Sequence, residues 1–94
     1  MEIIIKYIEI IKRMDLLIHL QATGTPEEFA SRLEVSKTKL YRMIKVIKRL
    51  NAPIKYDHFL QSFVYTEAVG FTFGFYPRYQ NHKKSRPIRI RFRE

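Results

Sequence analysis

Two helix starts, at Thr25 and at Ser36, lie so close together that the chain between them has room only for a short helix and a tight turn. Thr25-Pro26-Glu27-Glu28 combines an N-capping hydroxyl, a first-turn proline and a glutamate three residues after the cap, the pattern of a capping box. The helix it opens carries Phe29, Ala30 and Leu33 and breaks at Glu34-Val35. Ser36 then caps a longer helix reaching about Leu50, with Leu40, Met43, Ile44, Ile47 and Leu50 on its buried side and Asn51 as its stop. A helix as short as the first has no independent stability, so it must be held by packing across the turn onto its successor.

Upstream, Met1 to Gln21 reads as a long helix with Glu2, Lys6, Glu9 and Arg13 in one polar stripe. Gly24, between Ala22 and Thr25, can end it. Its other faces carry Ile3, Ile4, Tyr7, Ile8, Ile10, Ile11, Met14, Leu17 and Ile18, a wider apolar arc than a small three-helix core requires. Either a second subunit or a C-terminal strand is expected to cover the excess. After Ala52-Pro53 the period changes to strand-like runs at Ile54 to Asp57 and Phe63 to Glu67, with His58 to Ser62 turning between them. Phe71, Phe73 and Phe75 alternate with smaller residues, and Ile88, Ile90 and Phe92 alternate with arginines, a pattern compatible with two more strands. Pro77 to Pro87, between them, is polar. The expected class is α+β: three helices, a β-hairpin, and optional extra C-terminal strands.

The 94 residues make one small domain with a net charge of +9, unevenly distributed. Residues 1–35 carry −2, residues 36–56 carry +7 without a single acid, residues 57–77 carry −2 and residues 78–94 carry +6. One basic stretch is compatible with an ordinary solvated face. Two of them on a slightly acidic body are the footprint of a polyanion binder.

Several classes are excluded or disfavoured. Without cysteine there is no disulfide framework and no thiolate metal site. Lys6, Glu9, Lys12, Arg13 and Asp15 interrupt the N-terminal apolar run before it reaches the length of a membrane span, and no signal-peptide pattern is present, so a cytoplasmic, nucleoid-associated protein is expected. His19, His58 and His82 fall on different elements without ligand-spaced partners, Asp57-His58 lacks a nucleophile, and Gly70-Phe-Thr-Phe-Gly74 lacks the spacing of a phosphate loop. The expectation is a binding protein, not an enzyme, with no cofactor and no metal.

The short helix, turn and basic helix form a helix-turn-helix, in which the second helix lies in the major groove. Ala30 suits the crossing point, and Phe29, Leu33, Val35, Leu40 and Met43 lock the angle. The segment Phe29-Ala-Ser-Arg-Leu-Glu-Val-Ser-Lys-Thr-Lys-Leu-Tyr-Arg42, followed by Ile47-Lys-Arg-Leu-Asn-Ala-Pro-Ile-Lys-Tyr-Asp57, resembles the winged helix-turn-helix of DeoR-type regulators and of the N-terminal domain of WYL-domain regulators. The likeness spans about residues 5–67. It differs at Glu34, where the turn usually has glycine, at Met43, where an acid is common, and at the wing turn His58-Phe-Leu-Gln-Ser62, which has no glycine. The resemblance implies a winged helix domain over residues 1–77, sequence-specific binding of double-stranded DNA, and a hairpin wing on the flanking backbone. Residues 78–94 then form a basic tail or strand. Such regulators normally carry a ligand-sensing domain; here the expectation is a standalone DNA binder whose signal comes from a protein partner.

Candidate contacts follow. Arg42 can bond both acceptors of guanine or a phosphate. Lys37, Thr38 and Lys45 suit phosphates, and Tyr41 suits either a DNA contact or packing over the turn. Ser36 is a cap first and a phosphate donor second. Lys48, Arg49 and Lys55 are either backbone contacts or solvated bases. In the tail, Lys83, Lys84, Arg86, Arg89, Arg91 and Arg93 form a salt-sensitive arm, an arginine-edged strand, or an RNA-binding element whose phenylalanines stack bases. The leading expectation is a small transcriptional regulator, acting as a homodimer through the first helix or the C-terminal strands. The alternatives are an RNA- or ribosome-associated adaptor and a protein-interaction module of a mobile element or transcription complex.

Overall fold

The computed structural model of the chain describes residues 2–78. Helices α1 (Glu2–His19), α2 (Pro26–Leu33) and α3 (Lys37–Arg49) are followed by an antiparallel hairpin of β1 (Ile54–Asp57) and β2 (Ser62–Tyr65). Ile54 pairs with Tyr65 and Asp57 with Ser62. This is the expected α+β layout of three helices and a wing.

The helix starts form where local chemistry places them. The Thr25 hydroxyl accepts from Glu28 N at 3.3 Å while Glu28 Oε1 accepts from Thr25 N at 2.9 Å, and the Ser36 hydroxyl accepts from Lys39 N at 3.0 Å. The helix ends are less conventional. Gln21, Glu34 and Asn51 each take the left-handed conformation, with φ of 54°, 60° and 74°. Each closes a Schellman turn, in which Ala22 N, Val35 N and Ala52 N donate back to the carbonyls of Leu17, Ala30 and Ile47 at 2.9–3.0 Å. Glu34 therefore supplies the turn geometry for which glycine is the usual residue.

Gly24 does not end α1, contrary to expectation; Gln21 does. Gly24, at φ 72°, instead makes room for the capping side chain of Glu28, whose Cβ would sit 2.8 Å from a Cβ at this position. Two arginines brace the same corner: Arg32 donates to the carbonyl of Ala22, and Arg13 to the carbonyl of Arg32 at 2.6 Å.

One core holds the elements together. Ile11, Met14 and Ile18 of α1 meet Phe29, Ala30 and Leu33 of α2, Leu40, Met43, Ile44 and Ile47 of α3, and Ile54 and Phe63 of the hairpin. Leu50, expected in the buried row, is 57% exposed because α3 ends there and the chain leaves the helical period. The arc of α1 is only partly covered. Ile11, Met14 and Ile18 are buried and Ile8, Ile10 and Leu17 half-buried, whereas Ile3, Ile4 and Ile5 are all more than half exposed.

The strand expected at Phe71 to Phe75 does not form. Phe71 packs on the core, but Phe73 and Phe75 are exposed, Gly74 turns the chain at φ 121°, and neither β1 nor β2 pairs with this segment. Its expected partner, Ile88 to Phe92, lies outside the described residues, as do the tail bases Lys83 to Arg93. The second strand also stops at Tyr65, short of Glu67.

The hairpin is tied to the helices by polar contacts as well. The Tyr65 hydroxyl donates to Asp15 Oδ1 at 2.8 Å, an oxygen also reached by His19 Nε2 at 3.3 Å. Burial, and then the Asp15 carboxylate, push the Tyr65 phenol well above its ordinary value of about 10. The folded state thus retains a proton that the unfolded chain releases above pH 10, so this contribution is fully present below pH 10 and is lost as pH rises beyond it. Urea midpoints of the wild type and Tyr65→Phe are therefore expected to differ most near neutrality and to converge above pH 10. A constant difference across that range would remove the phenol–carboxylate contact as the cause.

Candidate nucleic-acid interface

The geometry of α3 follows from its period. At about 100° per residue, the buried row Leu40, Met43, Ile44 and Ile47 defines one face, and Thr38, Arg42, Lys45 and Arg49 fall opposite it. Tyr41, Lys48 and Lys37 flank this outer row on one side, and Val46 on the other. Ser36, Lys37, Thr38, Tyr41, Arg42, Lys45, Lys48 and Arg49 are all exposed, and so is Lys55 on β1. The helix is about 20 Å long and about as wide as the major groove. It thus presents a basic surface without an acidic residue.

These side chains are not equivalent. Ser36 caps the helix with its hydroxyl, as expected of a cap. Lys37 is paired with Glu27 of α2 at 3.0 Å; the hydrogen bond between them, reinforced by their charges, lowers the Glu27 carboxyl and raises the Lys37 ammonium relative to their ordinary values. To hold a phosphate, Lys37 would exchange this carboxylate for it. Among the described residues Arg42, Lys45, Lys48, Arg49 and Lys55 form no ion pair, which leaves their charges available to a polyanion. Tyr41 is 45% exposed.

Of two residues absent from the expected contacts, Val46 joins this surface and Lys39 turns away from it. Val46, 38% exposed, lies beside Arg42 as a small apolar patch of the kind that contacts a thymine methyl. Its position outside the buried row is the signal that reveals it. Lys39 is half-buried and reaches back to α1, its ammonium 5.3 Å from the centre of the Tyr7 ring, so this base serves packing.

The wing is anchored by a chain of rings. Phe29 of α2 meets Phe63 at 5.5 Å, Phe63 meets Tyr56 across the hairpin at 5.0 Å, and Tyr56 meets His58 at 4.9 Å. A cleft of about 260 Å³ opens at the foot of α3, lined by Ile11, Asp15, Ile47, Leu50, Tyr65 and Phe71 among others. No helix among the described residues is long and apolar enough to cross a membrane. The chain matches no protein-family model, no curated protein and no solved structure.

Proposed function

We propose that this chain is a sequence-specific double-stranded DNA-binding protein, a small nucleoid-associated transcriptional regulator that lays α3 in the major groove. One observation carries the reading: the outer face of α3 is exposed, basic and free of acids along its length, while its opposite face is locked into the core. Arg42 sits mid-face, where base edges are within reach, and Lys45 beside it and Lys48 on the flank suit phosphates. The uncovered isoleucines at the start of α1 support a second element of the reading, docking of a second copy so that two α3 helices address two half-sites. They are also the observation that favours the alternative of a protein-interaction module.

Selection of the full chain on a random double-stranded library at near-physiological salt, with an RNA pool in parallel, tests this. One enriched duplex motif is expected, and half-sites one helical turn apart would mark the dimer. Retention of RNA with no enriched duplex would replace this reading with the adaptor. On the enriched motif, Arg42→Ala is expected to lower the preference over random duplex about tenfold. Lys48→Ala is expected to weaken both equally and reduce the salt slope by about one. Equal losses for Arg42→Ala on the two duplexes would remove it as a base reader.

A further inference from the structure

The tip of the wing is built against the usual chemistry of a hairpin turn. Such turns are normally made of glycine, asparagine, aspartate and serine, whereas His58-Phe59-Leu60-Gln61 places two large apolar side chains at the outermost point of the hairpin. Phe59 is 93% exposed and Leu60 43%. A single exposed phenylalanine is unremarkable on a protein surface. Here, however, the turn that displays it is fixed. Asp57 Oδ1 accepts from Leu60 N at 3.0 Å, the Gln61 side-chain amide donates to His58 O at 3.2 Å, and Gln61 adopts φ 54°. His58 itself is the outer end of the ring chain that runs inward through Tyr56 and Phe63 to Phe29. The tip is thus a rigid mount for Phe59, joined to the core through consecutive aromatic contacts.

From this mount the geometry points to Phe59, with Leu60 beside it, as an apolar wedge that enters the minor groove next to the α3 site and parts a base step. The inference rests on the DNA-binding reading above. Three observations favour a nucleic acid as the occupant. Only Leu50, Asn51, Ala52 and Pro53 separate α3 from β1, so the wing is rooted at the end of the basic helix. The segment leading into it, residues 36–56, carries seven bases and no acid, and Lys55 is exposed on β1. The one acid at the tip, Asp57, is engaged in holding the turn and is half-buried. A phenylalanine held rigidly can enter between bases without losing further freedom, and insertion of such side chains from the minor groove unstacks a step and bends the duplex towards the major groove. Flexible pyrimidine–purine steps part most easily, so the wedge adds sequence preference at a position where no hydrogen bond is made.

The experiment uses the full chain on its enriched duplex, with 2-aminopurine placed at successive positions and donor and acceptor dyes at the two ends. The wild type is expected to raise 2-aminopurine emission at one step flanking the α3 site and to shorten the end-to-end distance. Phe59→Ala is expected to abolish both responses and weaken binding about tenfold, and Phe59→Leu to retain part of each. Because Phe59 makes no core contact, unchanged circular dichroism will verify that both variants are folded. Motif binding by the wild type without unstacking or bending anywhere along the site would overturn the wedge and leave the DNA-binding reading intact. Equal unstacking by Phe59→Ala would do the same. Failure of the wild type to bind any duplex would overturn both.

Discussion

Phe29→Ala is expected to lower the unfolding free energy by about 3–5 kcal/mol. Phe29 is fully buried and lies where α2 meets both α3 and the hairpin, its ring tilted against Phe63 at 5.5 Å. No neighbouring element can collapse into the space it would vacate, because α2 is fixed at both ends, by the Thr25 capping box and by the turn at Glu34. Domains of this size have total stabilities at the low end of about 5–15 kcal/mol, so the variant would sit close to its folding threshold at room temperature. Urea denaturation followed by circular dichroism measures this. A loss below about 1 kcal/mol would mean that Phe29 is not the centre of the core, and the crossing that orients α3 would then need another keystone.

What the sequence made legible divides along a physical line. Helix starts were readable because a cap is a local event: a hydroxyl, a proline and a glutamate within four residues specify Thr25, and Ser36 acts three residues ahead of the amide it caps. The outer face of α3 was readable because one period fixes both the buried row and its opposite. Helix ends were readable only in part: the break at Glu34 and the stop at Asn51 fall where expected, whereas α1 ends at Gln21 and not at Gly24. Gln21 and Glu34 take a left-handed conformation that their residue types do not signal, and the glycine that does carry the signal, Gly24, serves the capping side chain of Glu28 instead. Leu50 fits the apolar row by spacing, yet it follows the last helical residue, so its side chain leaves the face that spacing assigns. Alternation at Phe71 to Phe75 was not sufficient for a strand, since Gly74 turns the chain within it. Phe59 carried no periodic signal at all; its exposure depends on the turn that mounts it.

The most distant feature from local pattern is the polar contact between Thr23 and Ser62, and its removal is the second large effect expected. Both residues are almost completely buried, one in the link between α1 and α2, the other at the start of β2. Thr23 Oγ1 accepts from Phe63 N at 2.8 Å, lies 3.1 Å from Ser62 Oγ and can donate to Gly24 O at 2.9 Å, while Thr23 N donates to Ser62 Oγ at 3.3 Å. The link thus lends β2 hydrogen bonds on the side away from β1, and so helps fix the wing to the helices. Thr23→Val keeps the shape but strands the buried Phe63 amide without an acceptor and leaves the Ser62 hydroxyl one partner short. Leaving such groups unsatisfied costs about 1–3 kcal/mol, so a loss of about 2 kcal/mol is expected, with faster hydrogen exchange at the Phe63 amide. Thr23→Ser retains the hydroxyl and should recover most of that loss, giving up only the burial of one methyl, about 0.8 kcal/mol. Thr38→Val, on the exposed face of α3, serves as the comparison, because the same chemical change there strands no buried group. If all three substitutions cost the same, the wing is held by apolar packing alone, and the Phe29–Phe63–Tyr56 ring chain would have to orient it without this polar tie.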